Sequence, residues 1–427
     1  QFTMYNEISK QLIEFIEKSP TCFHAVQTMS DLLIEEGFTE LKENEKWKLE
    51  KGGKYFVTRN GSSLIAFTIP EQEMKGMRIM ASHSDSPSFK IKENPEMEAE
   101  GHYIKLNVEK YGGMLCAPWF DRPLSIAGRV IVRDPETGTL RTVLVNVDRD
   151  LVMIPNLAIH MNREVNDGYK YNAQKDMLPL YGDITAKDSF MKTIADAAGA
   201  APDDILGHDL FLYNRQRASI WGASDEFLSA SRLDDLQCAF SSLKGFLAGE
   251  KKEYMAVHCV LDNEEVGSGT KQGAASTFLY DTLTRAHESL GLTREDYLIH
   301  LADSFMVSAD NAHAVHPNYP EKMDPVNRTY LNGGIVLKFN ANQKYCTDGV
   351  SAAMFRDICR KAGVPVQTFT NRSDMAGGST LGNISNTQVA LNTVDIGLPQ
   401  LAMHSPYETV GVKDTGYLVR AAEVLFC

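Results

Sequence analysis

The sequence lacks any long apolar run. Nothing approaches the roughly 20 consecutive apolar residues of a membrane-spanning helix. Its seven cysteines, Cys22, Cys116, Cys238, Cys259, Cys346, Cys359 and Cys427, are scattered. None forms C-x-x-C, which argues against thiolate zinc sites and dithiol redox motifs. An odd count in a chain of 427 residues fits reduced thiols in a cytoplasm, most of them buried as small hydrophobes. Positive charge is in deficit: 43 Lys and Arg stand against 56 Asp and Glu, a net −13. That argues against nucleic acid as a partner, which requires cationic surface to displace counterions. It argues equally against docking on anionic membranes. The opening Gln1-Phe2-Thr3-Met4-Tyr5-Asn6-Glu7 lacks the basic and apolar regions of a signal peptide, so the expected location is cytoplasmic. Met4 is read as the natural start, with Gln1–Thr3 an appended scar. No internal repeat or low-complexity tract is visible. What remains is ordinary for a globular protein, 43% apolar and 23% charged, with length for two or three domains at about 150 residues each.

Apolar spacing of 3.6 residues places Ile8, Leu12, Phe15 and Ile16 on one face of a helix that ends at Ser19-Pro20. A second helix is predicted over Phe23–Glu36, stopping at Gly37. Strands are predicted at Tyr55–Arg59, Ser63–Thr68 and Met77–Ser82. From about Glu93 to Arg232 the pattern changes to short β-like runs, Tyr103–Val108, Gly128–Val132 and Thr142–Val147, mixed with turns and an irregular Asn-rich stretch. After Ser231 strand–helix alternation returns. Leu236, Ala239, Phe240, Leu243 and Phe246 form a helical stripe, and Tyr254–Leu261 reads as a buried strand. The simplest parse is an α/β domain, residues 1–92 and 233–427, interrupted by a β-rich insert, residues 93–232.

Polar clusters sit where apolar strands stop. Ile79–Ser82 leads into His83-Ser84-Asp85, and Ala256–Leu261 into Asp262-Asn263-Glu264-Glu265. Phe305–Ala309 leads into Asp310-Asn311-Ala312-His313, and Gln400–Met403 into His404. A further cluster, Ser231-Arg232-Leu233-Asp234-Asp235, opens a helix. Open α/β sheets bind ligands beyond the carboxyl ends of their strands, so these segments can converge. Two histidines with several carboxylates suit zinc, manganese or cobalt. A two-metal hydrolase needs a bridging carboxylate, terminal His and carboxylate ligands, and one uncommitted carboxylate to take a proton. The adjacent Glu264 and Glu265 can divide the last two tasks. In His83-x-Asp85 the aspartate can accept the second ring N–H and orient the imidazole. Each piece alone has a blander reading: a structural H-x-D, a solvated glutamate pair, Asp234-Asp235 as helix N-caps. Their joint occurrence at strand ends is the signal.

The residues that carry a family likeness occur in order: Ala81-Ser82-His83-Ser84-Asp85-Ser86-Pro87, Trp119-Phe120-Asp121-Arg122-Pro123-Leu124, Arg232-Leu233-Asp234-Asp235, Asn263-Glu264-Glu265-Val266-Gly267-Ser268, the run Ser308 to Asn318, and Leu401-Ala402-Met403-His404-Ser405. From about residue 5 to the C-terminus the chain resembles the M18 metalloaminopeptidases, the aspartyl aminopeptidase family. The resemblance implies a zinc-exopeptidase-type mixed sheet flanked by helices, with the insert as a dimerisation domain. It implies a co-catalytic dizinc centre in which Asp234 bridges, His83 and Asp310 complete one site, and Glu265 and His404 the other. Glu264 becomes the general base and Asp85 the orienter of His83. Members assemble as tetrahedral homododecamers, in which His160 of Ala158-Ile159-His160-Met161-Asn162 would reach a neighbouring subunit's active site.

The resemblance also implies a peptide substrate and a preference for Asp or Glu at its N-terminus. Lys338, in Leu337-Lys338-Phe339-Asn340-Ala341-Asn342-Gln343-Lys344-Tyr345, would pair with the acidic side chain, with Tyr345 assisting and His313 nearby. Gly378 and Ser379 belong to a substrate-cradling loop, Asp374–Thr380, in which Gly377 stands where many members carry Cys. Pro406-Tyr407 replaces the Ile-Arg of eukaryotic-type members. Both departures leave a neutral, Leu-type specificity open, and the net negative charge does not help attract acidic peptides. Without the resemblance, Lys338 reads equally well as a solvated strand-edge lysine and His160 as a surface histidine. Two further readings are a catalytically idle assembly scaffold, which the intact ligand and base positions disfavour, and a deacylase on the same fold, which the Ser308–Asn318 run disfavours.

Overall fold

Helix Phe2–Glu17 forms because Leu12, Phe15 and Ile16 recur on one side, and all three are buried. Thr21 caps the next helix, Cys22–Glu35, by accepting the His24 backbone N–H. Gly37, at φ +84°, turns the chain out of it. This computed structural model describes residues 2–427, and for Phe2–Met4 only the backbone. Gln1 and the side chains of the expected scar lie outside the described residues. The chain forms two compact units: residues up to Asp85 with Ala218–Met403 and Glu408–Cys427, and Ser86–Arg217 with His404–Tyr407.

The first unit is built on a nine-stranded mixed sheet in the order Thr39–Leu41, Lys54–Arg59, Ser63–Thr68, Tyr254–Leu261, Gly76–His83, Phe305–Ala309, Asn392–Gly397, Ile335–Lys338 and Val366–Phe369. Its inner strands are near-continuous apolar runs because helices cover both faces. The helix Leu233–Ala248 buries the predicted stripe Leu236, Ala239, Phe240, Leu243 and Phe246 on one face. There Gly245 admits the helix Asp414–Leu425, since a Cβ would run into Ala422. On the other face the helix Phe278–Ser289 buries Phe278, Leu279, Leu283 and Ala286.

Four neighbouring strands, Tyr254–Leu261, Gly76–His83, Phe305–Ala309 and Asn392–Gly397, run parallel. Leu261 pairs with His83 and Ala81 with Ser308, so their carboxyl ends meet at one edge. A smaller sheet of five strands, Ser219–Trp221, Phe227–Ala230, Glu408–Gly411, Pro399–Leu401 and Ala312–His313, carries residues toward the same region.

The second unit is a six-stranded antiparallel sheet, ordered Leu140–Asn146, Leu124–Arg133, Ile205–Asn214, Ser88–Ala99, Tyr103–Tyr111 and Leu180–Asp183. Its own core includes Phe89, Leu106, Trp119, Ile126, Val130, Phe190 and Ile194. The strand Ser88–Ala99 was not expected, because Lys90 to Glu98 is rich in charge and interrupted by Pro95. The pairing slips between Ile91 and Glu96, and Pro95 falls in that irregularity, where a missing N–H costs no ladder bond. Between Asn146 and Leu180 the chain is largely irregular, as its Asn-rich composition predicts. No described helix is long and apolar enough to cross a membrane.

Candidate metal centre

His83 closes its strand and is fully buried. Its Nδ1 lies 2.9 Å from the Asp85 carbonyl oxygen and 3.1 Å from Asp85 Oδ1. A carbonyl oxygen can only accept, so Nδ1 carries the hydrogen and Nε2 is left as the ligating nitrogen. Around Nε2 stand Asp310 Oδ1 at 3.2 Å, Asp234 Oδ1 at 3.3 Å, Glu264 Oε2 at 3.4 Å and Glu265 Oε1 at 3.9 Å. Carboxylate oxygens gathered on one imidazole nitrogen call for positive charge among them: a second ring proton on Nε2 supplies it in the metal-free chain, and a divalent cation would take that proton's place. A tetrahedron with metal–ligand bonds of about 2.0 Å has edges of about 3.3 Å, which is the spacing from Nε2 to Asp310 and Asp234. The residues present therefore fit a divalent metal. Among the described residues of the first unit, two groupings bring ligand atoms within 4.8 Å of one another: His83, Asp234, Asp235 and Asp310, and His83, Glu264 and Glu265.

The electrostatics have the same cause. Burial opposes charge on His83, but Glu264, Asp310 and Asp235 outweigh it and hold the ring well above the ordinary histidine range. Burial, with Asp310, Glu265 and Asp234 adding to it, pushes Glu264 up to about 11. Burial likewise holds Asp235 well above the carboxylate range. A divalent cation within the cluster would reverse these pushes by favouring the ionised carboxylates.

The chain builds this cluster from strand ends. Asp85 accepts the backbone N–H of Glu264 at 3.2 Å and of Glu265 at 3.0 Å, so one carboxylate fixes both the His83 ring and the glutamate turn. Asp234 and Asp235, joined by a cis peptide bond, depart from helical geometry at the start of their helix. They are not the N-caps that their position suggests. Asp235 instead accepts the backbone N–H of His83 at 3.0 Å and of Asn311 at 3.2 Å, bracing two strand ends. Nor do Glu264 and Glu265 form a solvated face; both are partly buried. Gly397, on the neighbouring parallel strand, packs so tightly that a Cβ would collide with the Asp310 carbonyl oxygen. Gly397→Ala is expected to displace Asp310 and weaken metal binding by at least about tenfold, on the scale of lost supporting contacts; equilibrium metal titration of the variant checks this.

Lys338 is 3% exposed on an interior strand, which removes the reading as a solvated strand-edge lysine. Its ammonium donates to the Asp310 carbonyl at 2.6 Å and the Asn311 carbonyl at 3.3 Å. It lies 5.4 Å from the Tyr345 ring centroid. Burial opposes its charge, but Asp310, Tyr345 and Asp395 raise it above the ordinary lysine value. Tyr345 is buried with Phe369, Val336, Ala312 and Met323. His313 is exposed at the end of its short strand, its ring 6.2 Å from that of Phe369. Gly378 and Ser379 lie in an exposed loop, where Ser379 donates to Asn383 at 2.7 Å. In the second unit, His160 sits in an exposed 3-10 turn beside Ile159 and Met161. His404 also belongs to that unit; it adopts φ +71°, and its carbonyl accepts the Leu115 N–H at 3.2 Å.

Several residues escaped sequence reasoning. Asp395 is fully buried and accepts Thr380 Oγ1–H at 2.7 Å and the Cys346 N–H at 2.6 Å. It thereby ties the Gly378–Ser379 loop and the Tyr345 segment to the sheet. Asn311, Gln400 and Glu408 form a buried polar chain behind Asp234. Their one sequence signal is polarity inside otherwise apolar strand ends.

Histidine and carboxylates converging at the carboxyl ends of parallel strands in a mixed α/β sheet make a site fit for a divalent metal, the kind of centre a metal-dependent hydrolase uses. The family model for aminopeptidase I zinc metalloproteases (M18) matches residues 15–426. The chain belongs to this family of zinc metalloproteases. It is 49% identical over 426 residues to a probable M18 family aminopeptidase 2 of Clostridium acetobutylicum, covering 98% of each chain. Among solved structures it is similar to Ape4 in a complex with Nbr1, at 35% identity and a TM-score of 0.95, covering 99% of this chain and 86% of that one. It is also similar to the mApe1 dodecamer of S. cerevisiae, at 29% identity and a TM-score of 0.87, covering 99% and 97%.

Proposed function

We propose that the chain is a two-metal aminopeptidase that removes N-terminal residues from peptides, with a preference for Asp and Glu. The observation that carries this reading is the ring of carboxylate oxygens around His83 Nε2. Asp234 would bridge two divalent ions, most simply zinc, with manganese or cobalt tolerated by the same donors. His83 and Asp310 would hold one, Glu265 and His404 the other. Bound there, such ions supply Lewis acidity that polarises a carbonyl and lowers the pKa of water toward neutrality.

The rest of the chemistry falls to the chain. Glu264 takes a proton from the attacking water and returns it to the leaving amine, a role for which its partly buried carboxylate beside the ligands is placed. Asp85 holds the His83 ring so that Nε2 faces the cluster. Lys338 uses two of its three N–H donors on backbone carbonyls; the third would meet the acidic side chain of the substrate, with Tyr345 and His313 beside it. The Gly378–Ser379 loop would cradle the peptide backbone. His160 would act on a neighbouring subunit's site within a homododecamer, and the exposed Leu157, Ile159 and Met161 around it are surface that such assembly would cover. The cytoplasm is the compartment that fits reduced cysteines.

The binding of Lys338 to the Asp310 and Asn311 carbonyls favours a second reading, in which it is a structural cation and the enzyme prefers neutral, Leu-type N-termini. A panel of aminoacyl chromogenic substrates, assayed with metal-free and metal-reloaded enzyme, separates the two. For Lys338→Met we expect a drop with every substrate, because Asp310 loses a tether. We expect an additional loss of about tenfold or more for Asp and Glu, the order of one lost charge-assisted hydrogen bond. Equal losses on Asp and Leu substrates would assign Lys338 to structure alone.

A further inference from the structure

Behind the proposed metal centre lies a run of buried polar side chains with a fixed direction. Asn311 Nδ2 donates to the Leu233 carbonyl at 3.2 Å, to Gln237 Oε1 at 2.9 Å and to Gln400 Oε1 at 2.6 Å. Gln400 Nε2 donates to Glu408 Oε2 at 2.8 Å. Glu408 Oε1 accepts the backbone N–H of Asp234 at 3.0 Å. Asn311, Gln400 and Glu408 are 4%, 1% and 2% exposed, so water cannot readily replace a lost partner.

Both ends of this run are backbone groups that cannot turn around. The Leu233 carbonyl only accepts, which fixes the Asn311 amide with its NH2 toward Leu233 and Gln400. Gln400 must then present its oxygen to Asn311 and its NH2 to residue 408. The Asp234 N–H only donates. Residue 408 therefore has to accept at both of its oxygens, which a carboxylate does and an amide cannot. The run joins the segment that follows Asp310 to the backbone of Asp234, two proposed metal ligands separated by more than 70 residues of chain.

We infer that Glu408 is a positioning residue that, through Gln400 and Asn311, sets the placement of Asp234 relative to Asp310 and so presets the metal centre. The inference rests on the metal reading above. A half-satisfied polar network in a dry site is strongly unfavourable, so losing one acceptor at residue 408 would let Asp234 shift.

The test is equilibrium titration of the metal-free full chain with zinc or manganese against a competing chelator. Glu408→Gln leaves shape almost unchanged but opposes one NH2 to another; we expect metal affinity to fall 10–100-fold, the usual scale for outer hydrogen-bond partners of metal ligands. The double variant Gln400→Glu with Glu408→Gln moves the carboxylate one link along. The carboxylate then at position 400 can accept from both Asn311 and the amide NH2 at position 408. The amide oxygen at position 408 can still accept from the Asp234 N–H, so most of the affinity should return. Rescue by exchange is not expected if the two side chains merely fill space. Wild-type affinity in Glu408→Gln, or a double variant as weak as the single one, would overturn the inference. If Glu408→Gln does not fold, a double variant that also fails would overturn it. A wild-type chain that binds no divalent metal would instead overturn the metal reading itself.

Discussion

Glu264→Gln is expected to lower kcat by about 10²–10⁴-fold, the usual contribution of a positioned proton-transfer group, while metal content stays near that of the parent. Glutamine keeps the shape of the side chain and cannot take a proton from water. The position of Glu264 also dictates a second, opposite effect. Its carboxyl stands 3.4 Å from His83 Nε2, and burial with Asp310, Glu265 and Asp234 pushes it up to about 11, so at neutral pH folding without metal requires it to take up a proton, a cost that glutamine does not carry. The metal-free variant should melt at a higher temperature than the metal-free parent, as expected where function keeps a carboxyl buried. Steady-state kinetics, metal analysis and thermal melts together check the prediction. Parent-like kcat would remove Glu264 from the proposed mechanism.

The second large effect is expected at Asp234. As the proposed shared ligand it touches both ions, so Asp234→Ala should cost more than the 10–100-fold in affinity typical of a lost supporting contact. Both equivalents of metal should be affected, and activity at ordinary metal concentrations should disappear. Loss of a terminal ligand, as in Glu265→Ala, should weaken one equivalent far more than the other. A titration in which Asp234→Ala and Glu265→Ala behave alike would mean that Asp234 does not bridge.

Much of this was legible in the chain because strand ends announce themselves. His83, Asp85, Glu264 and Asp310 each follow a run of buried apolar residues, and parallel pairing brings those runs to one edge. The helical stripe from Leu236 to Phe246 was equally plain, because five side chains at the right spacing are all buried. What stayed hidden depends on partners distant in sequence. Asp235 looks like a helix cap until the His83 and Asn311 amides are seen to point at it. Gln400 and Glu408 carry no motif, and only the fixed donors and acceptors around them give them a role. Lys338 could be read from its neighbours as a surface residue, whereas its strand lies inside the sheet between Asn392–Gly397 and Val366–Phe369. The strand Ser88–Ala99 escaped notice because its charges and Pro95 break the alternation that marks a strand.

The central claim is that side chains from distant segments surround a pair of cations that share Asp234. Anomalous diffraction at the zinc edge, from crystals of the zinc-loaded protein, tests it directly. The account predicts two neighbouring peaks, both contacting Asp234, with His83 and Asp310 on one and Glu265 on the other. A single peak, or peaks that leave Asp234 uncoordinated, would contradict it.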